Sequence, residues 1–217
     1  MSRERVRNHP GHSSQKSHGR KGGGGGKVDG EDITASADYE DINSRGMEHL
    51  GGYSYADRSL GAIQEAQGFT GKPEVVSRAE FDRAVRAGEV TETHRGIDGP
   101  NAQRYAEEFR SGDLHPGTGT YGAGTYVATS SAYLDEFQPA ARLRIGLRTD
   151  ANVVEIGDLR REQEAFARSA SPAARNAASD LGRFAALRGY DAVNIETHND
   201  EPQLLILNRT AVIVQEA

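Results

Sequence analysis

Apolar positions in this chain become regular only after a long polar start. Residues 1–32 hold almost nothing apolar, and from 32 to 72 Tyr39, Ile42, Met47, Leu50, Tyr53, Tyr55, Leu60 and Ile63 are spaced for short helices lying over a core. Ser77-x-x-Glu80 has the form of a capping box, in which Ser77 accepts from a free helix N–H while Glu80 reaches back. A helix through Phe81, Ala84 and Val85 follows, and Gly88 is placed to end it. Strands are then predicted over 89–97, 142–147, 152–156, 190–195 and 204–214, the second alternating Leu143, Ile145 and Leu147 with polar residues. Helices are predicted over 101–109, 132–137, 159–168 and 172–188, with Pro172 suited to a first turn and Gly189 to a stop. Helices first, then strands mixed with helices, without strict βαβ alternation, predict an α+β domain.

The division that follows is a flexible basic, Gly-rich arm (1–32) and a folded domain (33–217), helical over about 33–88 and with its core over 89–217. Arg3, Arg5, Arg7, Lys16, Arg20, Lys21 and Lys27, with the run Gly22–Gly26, describe a solvated arm. Such an arm can touch nucleic acid weakly through residues 1–27, although a net charge of -6 and a pI near 5.7 give the whole chain no such bias. His9, His12 and His18 have no fourth ligand or fold to make a zinc site, and no metal is expected. The chain has no cysteine, and so no disulfide, thiolate site or thiol nucleophile. Without an apolar run of membrane length or a signal-peptide core, a soluble protein with no membrane partner is expected.

Three stretches carry candidate chemistry. Gly117, Gly119, Gly122 and Gly124 precede Tyr126-Val127-Ala128-Thr129-Ser130-Ser131-Ala132-Tyr133, a pattern suited to a pocket with a backbone floor and aromatic walls, or to a plain glycine turn between strands. Arg95, on a strand and followed by Gly96, can grip a phosphate or carboxylate in a bidentate fork, or stand as a rim arginine. Gln203 heads the apolar run Leu204-Leu205-Ile206-Leu207, where a side chain is offered to a ligand or simply starts a strand.

In this order the segments resemble the ADP-ribosyltransferase superfamily, in its phage-borne and toxin-like branch. His94-Arg95-Gly96 looks like the first motif of that family. Tyr121-Gly122-Ala123-Gly124-Thr125-Tyr126-Val127-Ala128 looks like its Gly-x-Gly-x-Tyr-Phe-Ala strand, and Ser131-Ala132-Tyr133 like its nicotinamide-pocket segment. Gly189–Val193 and Leu207-Asn208-Arg209 are similar to its closing strands, so the likeness covers residues 75–217. Asn8–His12 and Gln15–Gly19 resemble linkers of MuF-like phage head-associated proteins.

The resemblance implies a mixed, split β-sheet flanked by helices, and transfer of ADP-ribose from NAD, a substrate here, to a protein acceptor. It implies that Arg95 holds an NAD phosphate or the adenosine side, that Gly96 and Ser131 bond the nicotinamide amide, and that Gly124 belongs to the pocket floor. Tyr133 and Tyr126 then stack on the ring, and Thr129 and Ser130 brace the pocket. A phage virion or a host cytoplasm is the implied location. Where the family has a catalytic glutamate stands Gln203, which keeps the shape but accepts no proton. Glu201 acting from a shifted loop, a natural chain that is weakly active or only binds NAD, and a glutamate replaced by engineering are the three alternatives. With a glutamate at 203 the loop would resemble that of arginine-modifying members, which makes arginine the expected acceptor. A different reading is a catalytically dead, phage head-associated structural protein that contacts DNA through its arm.

Overall fold

The computed structural model describes residues 26–34, 58–112, 117–170, 172, 175, 178–195 and 202–217. Among these are six α-helices: α1 (Arg58–Gln67), α2 (Arg78–Ala87), α3 (Ala102–Ser111), α4 (Ser131–Phe137), α5 (Ile156–Ser169) and α6 (Leu181–Leu187). The strands are β1 (Glu74–Val76), β2 (Val90–Ile97), β3 (Gly117–Gly119), β4 (Gly122–Ala128), β5 (Ala141–Arg148), β6 (Val153–Glu155), β7 (Ala192–Ile195), β8 (Gln203–Ile206) and β9 (Val212–Gln215). The fold is α+β. One open mixed sheet runs in the order β1-β9-β5-β2-β4-β8-β7-β6, and β3 adds to β4 as a hairpin. The outer pairs β1–β9 and β6–β7 are parallel and the inner ladders antiparallel.

Local chemistry sets the helix ends. Ser77 Oγ accepts from Glu80 N while the Glu80 carboxylate accepts from Ser77 N, the reciprocal box expected from the sequence, and Gly88 closes α2 at φ 71°. The single helix expected over 172–188 is corrected. Residues 178–180 form a turn, and the Asp180 carboxylate, accepting from Arg183 N at 2.8 Å, starts α6 as a separate helix. The continuous strand expected over 204–214 is corrected too. Asn208 accepts from Thr210 N at 3.0 Å and from Thr210 Oγ1 at 2.7 Å, stabilising a 3₁₀ turn at Arg209–Ala211. One apolar run thereby supplies two strands, with β8 between β4 and β7, and β9 between β1 and β5.

Each face of the sheet buries its own core. Ala102, Ala106 and Phe109 of α3 pack on Val127, Leu143, Ile145 and Leu204. The opposite face carries α1, α5 and α6 over Val193, Leu205 and Leu207, and Phe81 of α2 over Val90 and Ile213. Gly182 in α6 lies so close to β4 that a Cβ there would collide with the Ala123 carbonyl.

Residues 26–34, of which 26–32 fall in the stretch read as a flexible arm, are tied to the domain. Val28 N donates to Thr210 Oγ1 at 2.9 Å and Val28 O accepts from Asn208 Nδ2 at 2.8 Å. Gln67, itself buried, brackets the Glu31 peptide, and Ile33 N donates to Leu187 O. Lys27 Nζ lies 3.2 Å from the Asp191 carboxylate, which is 1% exposed and also accepts from Asn152 N and Asn208 Nδ2. A carboxylate buried so deeply needs each of these partners.

Two outcomes follow from this packing. Gly182→Ala is expected to lower the unfolding free energy by about 3 kcal/mol in urea denaturation, because backbone rather than a flexible side chain must give way. Lys27→Met is expected to cost about 2 kcal/mol in the same measurement, since Asp191 keeps its burial and loses its cation; an unchanged midpoint would show that the segment is not docked.

Candidate functional site

The strands that bear the three candidate stretches are neighbours, and one row of residues crosses them. His94 of β2 pairs with Ala128 of β4, Ala128 with Gln203 of β8, and Gln203 with Ile195 of β7. On the other flank His94 pairs with Arg144 of β5. Directly opposed residues of antiparallel strands point to one face, so His94, Ala128 and Gln203 share a face with Arg144. β2 meets β4 at this one pair, while Arg95, Gly96 and Ile97 are laddered to β5 alone. The sheet is therefore open between the second half of β2 and β4, beside the row.

Thr129 locks the head of β8 against the end of β4. Its N–H and its hydroxyl both donate to Pro202 O, at 3.2 and 2.9 Å. Ser130 is the N-cap residue of α4 in an extended conformation (φ -114°), and its hydroxyl makes no capping bond. Gln203 is half-buried and is the first residue of β8. Glu201 lies outside the described residues. Helix α4 then lies over β2. A Cβ on Gly96 would stand 2.9 Å from Pro139 Cβ and 3.4 Å from Leu134 Cδ2, so the glycine lets α4 approach.

Three of the other sequence candidates are placed differently from the row. Tyr126 is packed in the α1/α5/α6 core, and its hydroxyl donates to Gly122 O at 2.8 Å and accepts from Tyr121 N at 3.1 Å. Burial pushes that phenol up from its ordinary pKa, and all of its polar capacity goes to the β3–β4 hairpin. Gly124 lies against Leu205 and Leu207, where a side chain would collide. Gly122, at φ 102°, receives the Asp180 carboxylate, which accepts from Ala123 N at 3.1 Å. The glycines thus serve close internal packing. Tyr133 stands edge-on to Phe137, with ring centroids 5.1 Å apart, and Phe137 is 58% exposed.

Arg95 points to the other face. It is opposed to Leu143, and its guanidinium lies over the Phe109 ring at 5.5 Å. Its Nη1 is buried without a hydrogen-bond partner among the described residues, and desolvation lowers its pKa to about 10. A charge held this way costs stability unless an anion joins it.

A cavity of about 370 Å³ adjoins the row, lined by His94, Ser131 and Leu134 on one side and by Arg110, Arg142 and Arg144 on the other. Burial pulls the His94 pKa down despite Glu92 at 3.5 Å, which disfavours the charged imidazole. The sequence reading passed over these arginines. Arg142 and Arg144 occupy the polar positions of an alternating strand, and Arg110 the last turn of a helix, so spacing marked them only as solvent-facing. No group of three or more His, Asp or Glu suited to a metal occurs among the described residues, and no helix there is long and apolar enough to cross a membrane.

No family model, curated protein or solved structure matches the chain.

Arg95→Met is expected to raise the unfolding free energy by about 1–2 kcal/mol at pH 7, by removing an uncompensated buried charge. Because the folded-state pKa is the lower one, the wild-type penalty persists below about pH 10 and fades only as pH rises beyond it. Urea denaturation of both forms at pH 7 checks this, and a less stable methionine variant would mean that Arg95 has an internal partner.

Proposed function

We propose that the chain is an NAD-dependent mono-ADP-ribosyltransferase, or an NAD-binding relative of one with its catalytic carboxylate replaced. One observation carries this reading. His94 beside Arg95-Gly96, Ala128 at the end of the glycine-rich strand and Gln203 at the head of β8 stand in one row across three adjacent strands. Three motifs far apart in sequence, each expected from the family resemblance to line one pocket, meet at one edge of an opening in the sheet. The α+β class is also the one that the resemblance implies.

In the reaction, the bond between ribose C1′ and the nicotinamide nitrogen breaks, and its electron pair leaves with nicotinamide. An oxocarbenium-like carbon remains, and the acceptor's nucleophilic atom bonds to it while losing a proton. The protein's tasks are to hold the dinucleotide, stabilise the developing cation and orient the acceptor. Gln203 Oε1 accepts from a ribose hydroxyl, and the Ser130 and Ser131 hydroxyls with the Gly96 backbone hold the nicotinamide amide. Tyr133 offers an aromatic face to the cationic ring. The buried Arg95 guanidinium supplies a counter-charge for a phosphate, reached through the opening between β2 and β4. The acceptor is a protein side chain, arginine by the family resemblance.

Gln203 itself favours a second reading, in which NAD binds without turnover, because a neutral amide can neither receive the acceptor's proton nor counter the cation by charge. Nicotinamide release and NAD titration calorimetry on the chain and on Gln203→Glu test both. Binding by both forms is expected, with release at least about a hundredfold faster in the glutamate variant. Absence of NAD binding in both would remove the enzyme reading.

A further inference from the structure

We propose that the cavity beside His94 is a phosphate-binding notch, with Arg110 as its principal ligand and Arg142 as the second. Strand β9 ends at Gln215, and its ladder with β5 covers only Ile145–Leu147 of that strand. The outer edge of β5 at Arg142 and Leu143 is therefore open, and the cavity lies there, between the C-terminal turn of α3 and α4.

The arginines around it differ in what they have left to give. Arg144 is committed: its Nε donates to Glu92 at 2.7 Å, and its Nη1 to Asp82 at 2.9 Å and Gln215 Oε1 at 2.7 Å. It also lies over the Phe81 ring at 4.6 Å. Arg142 meets Asp135 through Nη1, but both side chains are substantially exposed, so this pair is weak and exchangeable. Arg110 has no carboxylate partner among the described residues. Its Nε donates to Gln215 O at 3.1 Å, which fixes the plane of the guanidinium and leaves both Nη groups for an incoming anion. That is the geometry that takes two oxygens of one phosphate.

The remaining walls suit a phosphate ester. His94, whose charged form burial disfavours, supplies a hydrogen bond. Glu216 also lines the notch, and Glu92 and Asp82 stand behind Arg144, so the site has little net positive charge. Recognition therefore rests on the fork of Arg110 rather than on a diffuse basic field, and a lysine at this position would be a poor substitute.

The phosphate can come from the dinucleotide of the proposed reaction or from a separate phosphorylated ligand, and His94 and Ser131 connect the notch to the row in either case. Titration of the full chain with inorganic pyrophosphate, followed by calorimetry, is the primary test. One-to-one binding is expected, weakened about tenfold or more by Arg110→Gln and partly retained in Arg110→Lys, with thermal melting checked for each variant. Arg142→Gln is expected to weaken it less. Competition between NAD and pyrophosphate identifies the dinucleotide as the source, and binding without competition identifies a separate ligand; both support the notch. No pyrophosphate binding by the wild-type chain, or binding indifferent to both Arg110→Gln and Arg142→Gln, overturns it. Nicotinamide release is read separately, so NAD turnover with no pyrophosphate site would remove the notch alone, and a pyrophosphate site with no NAD binding would remove the enzyme reading alone.

Discussion

The two halves of the sheet are joined through a single ladder pair, His94 against Ala128. On one side of that pair, β2 is held along its whole length by β5; on the other, β4 is held by β8 from Thr125 to Ala128. A full ladder would have closed the sheet with a continuous row of backbone bonds. One pair leaves the backbone edge of Arg95–Ile97 without a strand beside β4, and backbone groups left this way are stable only when solvent or a ligand serves them. Helix α4 and its flanking Pro139 cover one face of this opening, with Gly96 providing the clearance. The candidate site follows from this incomplete pairing.

Rigidity around the opening has separate sources. Thr129 fastens the head of β8 through Pro202 O, and the β3–β4 hairpin is fixed by Tyr126, Asp180 and the close approach of α6 at Gly182. At the other end of β7 and β8, Asp191, Asn208 and Thr210 make a buried network completed by Lys27 and Val28. Such a network is costly if any member is lost and firm when all are present. The segment 26–34 is therefore tied to the folded domain.

Arg95 and Arg110 differ from the arginines that meet carboxylates. Arg144 and Arg148 of β5, and Arg188 after α6, meet carboxylates. Among the described residues, Arg95 lies over the Phe109 ring with no carboxylate beside it, and Arg110 donates only to the Gln215 carbonyl. Two cations held ready on opposite sides of the Leu143 segment fit a protein that meets anionic ligands more readily than one shaped for packing alone.

Much of the fold was legible in the chain itself. The Ser77–Glu80 box, the Gly88 stop, the alternation of Leu143, Ile145 and Leu147, and the β-prone Tyr126–Ala128 run are local signals, and each became the expected element because period and capping act within a few residues. The α+β class followed from their order. Asp180 and Asn208 broke two expected elements through side chains that bond to backbone two or three residues on, a competition that hydrophobic pattern does not register. Tertiary structure alone decided the rest. It set β8 and β9 apart in the sheet, put His94 rather than Arg95 in line with Gln203, turned Tyr126 inward and brought Arg110 beside Arg142. Which face a strand residue takes, and which strand lies next to it, depends on pairing between distant segments, and no local spacing records that register.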